Sequence, residues 1–300
     1  MNKFLLAAIC LMGMYSNAAA CDACGCSSGG SYLGTMPQIQ RSFIGLRHNW
    51  RSYTVTPANA SDGRIYENYH STDLWARYFP HKRVQVLASV PYNYYSRQTD
   101  AKTIITQGLG DVSLMAGYMV FNNGDSIGKL WKHTFSVNAG VKLPTGRYNI
   151  RNEGLRLNPA MQPGTGSIDY LATLFYSIRY KKVGMAFDAN ARFCSINPND
   201  YKLGNRYSTS AKVFVWQKMG FSSSLLPMAG LTFDYAKQDH DIGTIVAESG
   251  GQSLFATLGI EYYYRSFGVG ANYQLPVSTN MAQGTTRATA RLGAQIMITF

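Results

Sequence analysis

Apolar and polar residues alternate with period two from residue 41 to the end of the chain. In Arg41–Tyr53, Ile44, Leu46 and Trp50 share one parity, and Gly45, Arg47, Asn49 and Arg51 the other. Lys82–Ser96 opposes Val84, Val86, Ala88, Val90 and Tyr92 to Arg83, Gln85, Ser89 and Asn93. Lys182–Ser195 sets Val183, Met185, Phe187, Ala189 and Ala191 against Gly184, Asp188, Asn190 and Arg192. Ser253–Tyr264 sets Leu254, Ala256, Leu258, Ile260, Tyr262 and Tyr264 against Ser253, Thr257, Gly259 and Glu261. Successive side chains of a strand point to opposite faces, so the pattern predicts strands with one apolar and one polar face. Twelve runs are predicted, at roughly 41–55, 66–79, 82–95, 109–121, 132–143, 167–180, 182–195, 205–217, 224–236, 252–265, 266–275 and 287–300.

Connections after even-numbered strands are mostly tight, apart from 122–131. Those after odd-numbered strands (56–65, 96–108, 144–166, 196–204, 237–251, 276–286) are longer. An even strand number with short turns on one rim and long loops on the other matches an outer-membrane barrel. A soluble sandwich shows the same alternation, and three features speak against it. Aromatics on the apolar parity gather at strand ends (Trp50, Tyr78, Tyr92, Tyr94, Tyr207, Tyr235, Tyr262, Tyr264), as an interfacial girdle requires. The runs suit a tilted span better than a soluble strand. The last run, "RLGAQIMITF", ends the chain on Phe300 with Leu292, Ala294, Ile296 and Ile298 on its parity, the kind of strand the barrel-assembly machinery takes as a partner. The predicted fold class is all-β, an antiparallel transmembrane β-barrel of about twelve strands spanning 41–300, placed in a bacterial outer membrane.

Lys3, the short apolar stretch Phe4–Tyr15 and Ala18-Ala19-Ala20 read as a secretory signal peptide over 1–20. Cleavage there makes Cys21 the first mature residue of a Cys-rich periplasmic segment, 21–40. Cys21, Cys24 and Cys26 follow C-x-x-C-x-C spacing, in a compartment that oxidises thiols. Three fates stay open for them: a soft-metal clip for Cu(I) or Zn(II), a local disulfide, or lipidation of Cys21.

Without Lys3 the chain carries 27 basic and 16 acidic residues, 27 − 16 = +11. The basic residues come singly and the chain is exported, which sets nucleic acid aside as a partner. Outer-membrane lipid and a small-molecule solute are the expected ones. On the inward parity lie Arg47, Arg51, Arg77, Arg83, Lys142, Arg179, Arg192, Arg206, Lys212, Arg265, Arg287 and Arg291, against Asp73, Asp111, Asp169, Asp188, Asp234 and Glu261. Such a lumen is either a polar plug held by ion pairs or a narrow pore that favours anions. The five histidines are scattered. His48 takes the outward parity with no serine–acid arrangement around it, so no catalytic constellation is found and no enzyme is expected.

Three segments, "QGLGDVSLMAGYMV" (Gln107–Val120), "GVKLPTGRY" (Gly140–Tyr148) and "QPGTGSIDYLATLFYS" (Gln162–Ser177), together resemble the outer-membrane barrels grouped as transporters of the phenol meta-degradation type. The likeness covers roughly residues 105–195 and continues as a strand rhythm to Phe300. It implies a barrel that passes small solutes. The function expected is an outer-membrane channel or transporter for small solutes. The alternative is a non-transporting envelope barrel, a surface scaffold or a metal-responsive protein acting through the N-terminal cysteines.

Overall fold

The computed structural model describes residues 40–56, 63–124 and 128–300, so the predicted signal peptide and Cys21, Cys24 and Cys26 lie outside the described residues. Twelve long strands run antiparallel, each paired with its neighbours in the chain. They are β1 (Phe43–Val55), β2 (Ile65–His81), β3 (Val84–Gln98), β4 (Thr103–Leu109 continued by Ser113–Asn122), β5 (Trp131–Lys142) and β6 (Asp169–Tyr180). The second half comprises β7 (Val183–Phe193), β8 (Arg206–Val215), β9 (Ser223–Ala236), β10 (Gly251–Tyr264), β11 (Phe267–Met281) and β12 (Thr286–Thr299). β12 pairs back with β1 from Phe43↔Thr299 to Val55↔Thr286, so the sheet closes and leaves no edge.

The alternation is partitioned by this closure. Ile44, Leu46, Leu74, Leu258 and Ile296 face outward and are 47–55 % exposed, while their strand neighbours Phe43, Asp73, Trp75, Thr257 and Met297 are buried. A wall of exposed aliphatic side chains of this extent would aggregate in water and is stable in hydrocarbon. Outward tyrosines edge it: Tyr78, Tyr118, Tyr180 and Tyr264 at the short-turn rim, Tyr92, Tyr94 and Tyr235 toward the other.

Inside, three layers stack along the axis. The short-turn end is filled by Phe43, Trp75, Phe175, Phe214, Leu226, Met228 and Met297. The buried Arg77 guanidinium sits 5.1 Å over the Phe43 ring and 5.0 Å over Phe79, so the cation in this layer is stacked rather than bare. The long-loop end holds Tyr53, Tyr69, Met161, Phe255 and Met281. A charged belt lies between them.

Two connections are shorter than the pattern predicts. Thr103–Leu109 pairs with Tyr92–Gln98 of β3, which reduces the expected 96–108 loop to 99–102. Ile104 next to Ile105 hides the alternation there. β4 is then interrupted at 110–112, where Gly110 and Asp111 are both buried, and the inward parity passes from Thr106 to Gly117 and Met119. β11 runs on to Met281 through the polar stretch Ser278–Asn280, leaving only 282–285 as a loop.

Candidate functional site

The break in β4 positions the centre of the belt. Asp111 Oδ2 accepts from Lys142 Nζ at 2.6 Å and from Thr165 twice, from the backbone N–H at 2.9 Å and the hydroxyl at 2.7 Å. Its Oδ1 accepts from the Gly146 N–H at 3.0 Å. Lys142 also reaches Asp169 Oδ2 at 3.2 Å, and Arg192 donates to that oxygen through Nε at 2.7 Å. Ser167 Oγ and the Ser195 N–H complete the Asp169 shell at 2.8 and 3.2 Å. Asp111, Lys142, Asp169 and Arg192 form an alternating chain of charge, each member hydrogen-bonded, which is the condition under which buried ions are tolerated.

This chain explains the three sequence segments physically. "GLGD", "PTG" and "PGTGS" converge on one point, where Gly110, Gly146 and Gly164 pack backbone against backbone. A Cβ at Gly164 would stand 2.5 Å from the carbonyl carbon of Gly146, and one at Gly146 would stand 2.8 Å from the Cα of Gly164. Gly166 adopts φ of +72° beside the Tyr148 ring, a conformation that L side chains rarely take.

The consequence is that segment 143–168 folds into the barrel rather than away from it. Met161 is 1 % exposed and receives a hydrogen bond from the Tyr69 hydroxyl at its sulfur, 3.5 Å. Asn93 Nδ2 donates to the Pro163 carbonyl at 2.8 Å, and Thr106 Oγ1 donates to the Met161 carbonyl. Gln162 holds the segment's own shape by bonds to Ile150 and Leu157. Beneath it lies a cavity of about 90 Å³ lined by Arg51, Asp73, Asn93, Asp111, Lys142, Gln162, Arg192 and Arg206, among others. That holds a few waters but is smaller than the roughly 150 Å³ that accommodates benzene. At the short-turn end, beyond the aromatic layer, a wider vestibule of about 1210 Å³ opens between Arg41, Lys132, Arg179, Trp216 and Tyr263.

Other expected lumen residues pair within the belt or at its borders: Arg47 with Asp73 at 2.8 Å, Lys212 with Asp188 at 3.0 Å, and Arg291 with Asp234. Arg291 also lies 3.8 Å over the Phe255 ring. Glu261 accepts from the Tyr263 hydroxyl at 2.8 Å, Arg51 and Arg206 are buried beside the cavity, and Arg179 stacks 4.7 Å over Trp216 at the vestibule.

Three expected lumen residues are placed elsewhere. Arg83 and Arg265 occupy two-residue turns, where strand parity does not hold, and lie exposed against Tyr118 and Tyr264 on the outer wall. Arg287 is turned outward by a β-bulge: Ser52 pairs with Ala290 but Tyr53 with Ala288, so Thr289 is extra and the parity of β12 flips. Conversely, Glu67, Arg97 and Lys132 face inward without having been singled out, Glu67 pairing with Arg97 at 3.6 Å. Glu67 was legible from the parity of β2. Arg97 lies beyond the predicted end of β3.

His48 is on the outer wall, 2.9 Å from Thr72 Oγ1 and 3.3 Å from His70. Among the described residues no group of three or more His, Cys, Asp and Glu is placed to hold a metal ion.

A search of family models gives no match, and no curated protein matches the sequence. Solved structures do match. An outer-membrane channel from Pseudomonas putida F1 superposes with a TM-score of 0.64 at 14% identity, over 87% of this chain and 96% of that one. The β-domain of the Bordetella autotransporter BrkA gives 0.54 at 10% identity, over 87% of this chain and all of that one. The chain is an outer-membrane β-barrel. At these identities the likeness is one of fold, and what the barrel does has to be argued from its own interior.

Proposed function

We propose that the barrel is a gated channel for small solutes, closed in the state described above. One observation carries this reading. The middle of the barrel is a small cavity lined by charged side chains, sealed toward the long loops by a chain segment held through a few specific polar bonds and toward the short turns by one aromatic layer. A barrel serving only as a scaffold gains nothing from a charged cavity, since apolar side chains of similar volume fill such a space at equal or better stability. Passage of anything as large as benzene requires segment 143–168 to withdraw and the aromatic layer at the short-turn end to part. The lumen chemistry then favours anions and polar molecules, because Lys142, Arg192, Arg206 and Arg51 line the path and Arg179 stands at the vestibule.

Single-channel recording on the refolded protein tests the reading. Brief openings from a mostly closed baseline are expected, with an anion preference that shrinks as salt rises and screening increases. Arg179→Glu should move the preference toward cations. A barrel that never conducts, in wild type or in the variants discussed below, would return the protein to the scaffold reading.

In this reading the long loops face the cell exterior and the short turns the periplasm. Trypsin added to intact cells should therefore cut at the exposed Arg151 and spare Lys181 and Lys182. Cleavage at Lys181 in intact cells inverts the topology.

A further inference from the structure

Among the described residues, the short-turn rim carries charge of one sign. Its turns present Lys82, Arg83, Lys129, Lys181, Lys182 and Arg265, all exposed. Among the described residues of these turns there is no Asp or Glu. The opposite rim mixes signs, with Asp100, Glu153, Asp200 and Asp241 exposed among its bases.

Three of the rim bases are seated on outward tyrosines, in three separate parts of the rim. Arg83 Nη1 donates to the Tyr118 hydroxyl at 3.4 Å, the Lys181 ammonium lies 5.4 Å from the centre of the Tyr180 ring, and the Arg265 guanidinium lies 5.4 Å from that of Tyr264. Each tyrosine belongs to the girdle where hydrocarbon ends, and each base extends past it toward the turn. The result is an apolar body at the edge of the acyl region with a cation just beyond, at the depth of the lipid phosphates. Trp131, 53 % exposed and 4.8 Å from the Tyr180 ring, adds a second amphipathic ring at the same site.

We propose that this rim is a binding collar for anionic phospholipid headgroups of the periplasmic leaflet, with Arg83, Lys181 and Arg265 as its phosphate contacts. The inference rests on the short turns facing the periplasm, which the trypsin experiment tests independently. A ring of exposed bases at headgroup depth concentrates anionic lipid around the barrel by the same electrostatics that draw polybasic segments to acidic membranes. It also gives Arg83 and Arg265 a role that an interior position does not.

The protein reconstituted into nanodiscs of phosphatidylethanolamine with a minority of phosphatidylglycerol, and released for native mass spectrometry, reads the collar directly. Retained phosphatidylglycerol is expected several-fold above its share of the bilayer, and high salt should lower that enrichment. The triple variant Arg83→Gln, Lys181→Gln, Arg265→Gln should retain lipid in the bulk proportion. Heat-modifiable migration on a gel reports that the barrel itself still folds, and Arg83→Lys, Lys181→Arg, Arg265→Lys should keep the enrichment if the triple glutamine variant does not fold. Bulk-like composition around the wild type overturns the proposal, as does equal enrichment around the glutamine variant. Loss of enrichment in millimolar inorganic phosphate reassigns the rim to free phosphate. Preference for lipopolysaccharide over phosphatidylglycerol reassigns it to the other leaflet.

Discussion

Asp111→Asn should release segment 143–168 and so remove the long-loop seal of the barrel. The carboxylate is the one group that holds both arms of the inserted segment, taking the Gly146 N–H on one oxygen and both Thr165 donors on the other, while neutralising Lys142. Removing one partner from a buried ion pair costs about 3–5 kcal/mol, and because Lys142 keeps Asp169 at 3.2 Å the loss here falls at the lower end of that range. Most of that is lost only by the inserted state, because withdrawal admits water to Lys142. At about 1.4 kcal/mol per decade, the ratio of withdrawn to inserted segment should rise by about two orders of magnitude at most. Bilayer recordings should show more frequent openings than the wild type, limited by the aromatic layer that remains at the short-turn end. Asp188→Asn is the control. Asp188 pairs with Lys212 and accepts from Ser210, on strands β7 and β8, and makes no bond to segment 143–168. It should leave the closed baseline in place. Silence of Asp111→Asn with a folded barrel and unchanged trypsin access to Arg156 would show that the segment is a fixed plug.

Gly164→Val should expel the same segment by a different route. The new side chain meets backbone atoms of Gly146 rather than the flexible end of another side chain, so neither neighbour has a cheap way to move. Overpacking costs about 1–3 kcal/mol where the surroundings give, and more where they do not. The strands do not depend on this contact, so the barrel should still migrate as folded. Trypsin cleavage at the half-buried Arg156, stacked on the Tyr201 ring, should quicken by about tenfold or more relative to the already exposed Arg151, since cleavage tracks the population of the withdrawn form when opening is rapid. Gly164→Ala is expected to show a smaller effect in the same direction. Unchanged cleavage would place the proteolytic access of this loop elsewhere than in its docking.

Where alternation runs unbroken, the face that a residue takes can be read from the chain. Asp188 and Arg192 sit two pleats apart on β7, and both turn inward with Gly184 and Ala186. Parity is only a local rule, however, and carries no information across an inserted residue or a turn. Thr289 resets it in β12 and so displaces Arg287, while the two-residue turns free Arg83 and Arg265 from either face. The break at Gly110 has the opposite effect and brings Asp111 into the interior. The docking of segment 143–168 was not legible at all. Its contacts join Asn93 to Pro163 and Thr106 to Met161 across 70 and 55 residues, and nothing periodic marks a loop that turns inward. What the sequence did carry was the set of glycines that the docking needs, without the geometry that brings them together.

Closure between the first and last strands has a consequence for how the molecule is made. Eleven of the twelve strand pairings join neighbours in the chain, several through turns of two residues, and cost little entropy to form. The β1–β12 seam spans the described barrel, and the bond from Arg291 to the Tyr53 hydroxyl crosses it over a separation of 238 residues. Contacts so distant in sequence form late and slowly. Until they form there is no interior to enter, because the belt and both apolar layers draw side chains from both sides of the seam. The expected order is an open sheet first, then the seam, and last the docking of segment 143–168 into the lumen that the seam creates. The nascent barrel is at its most permeable in the interval before that final step.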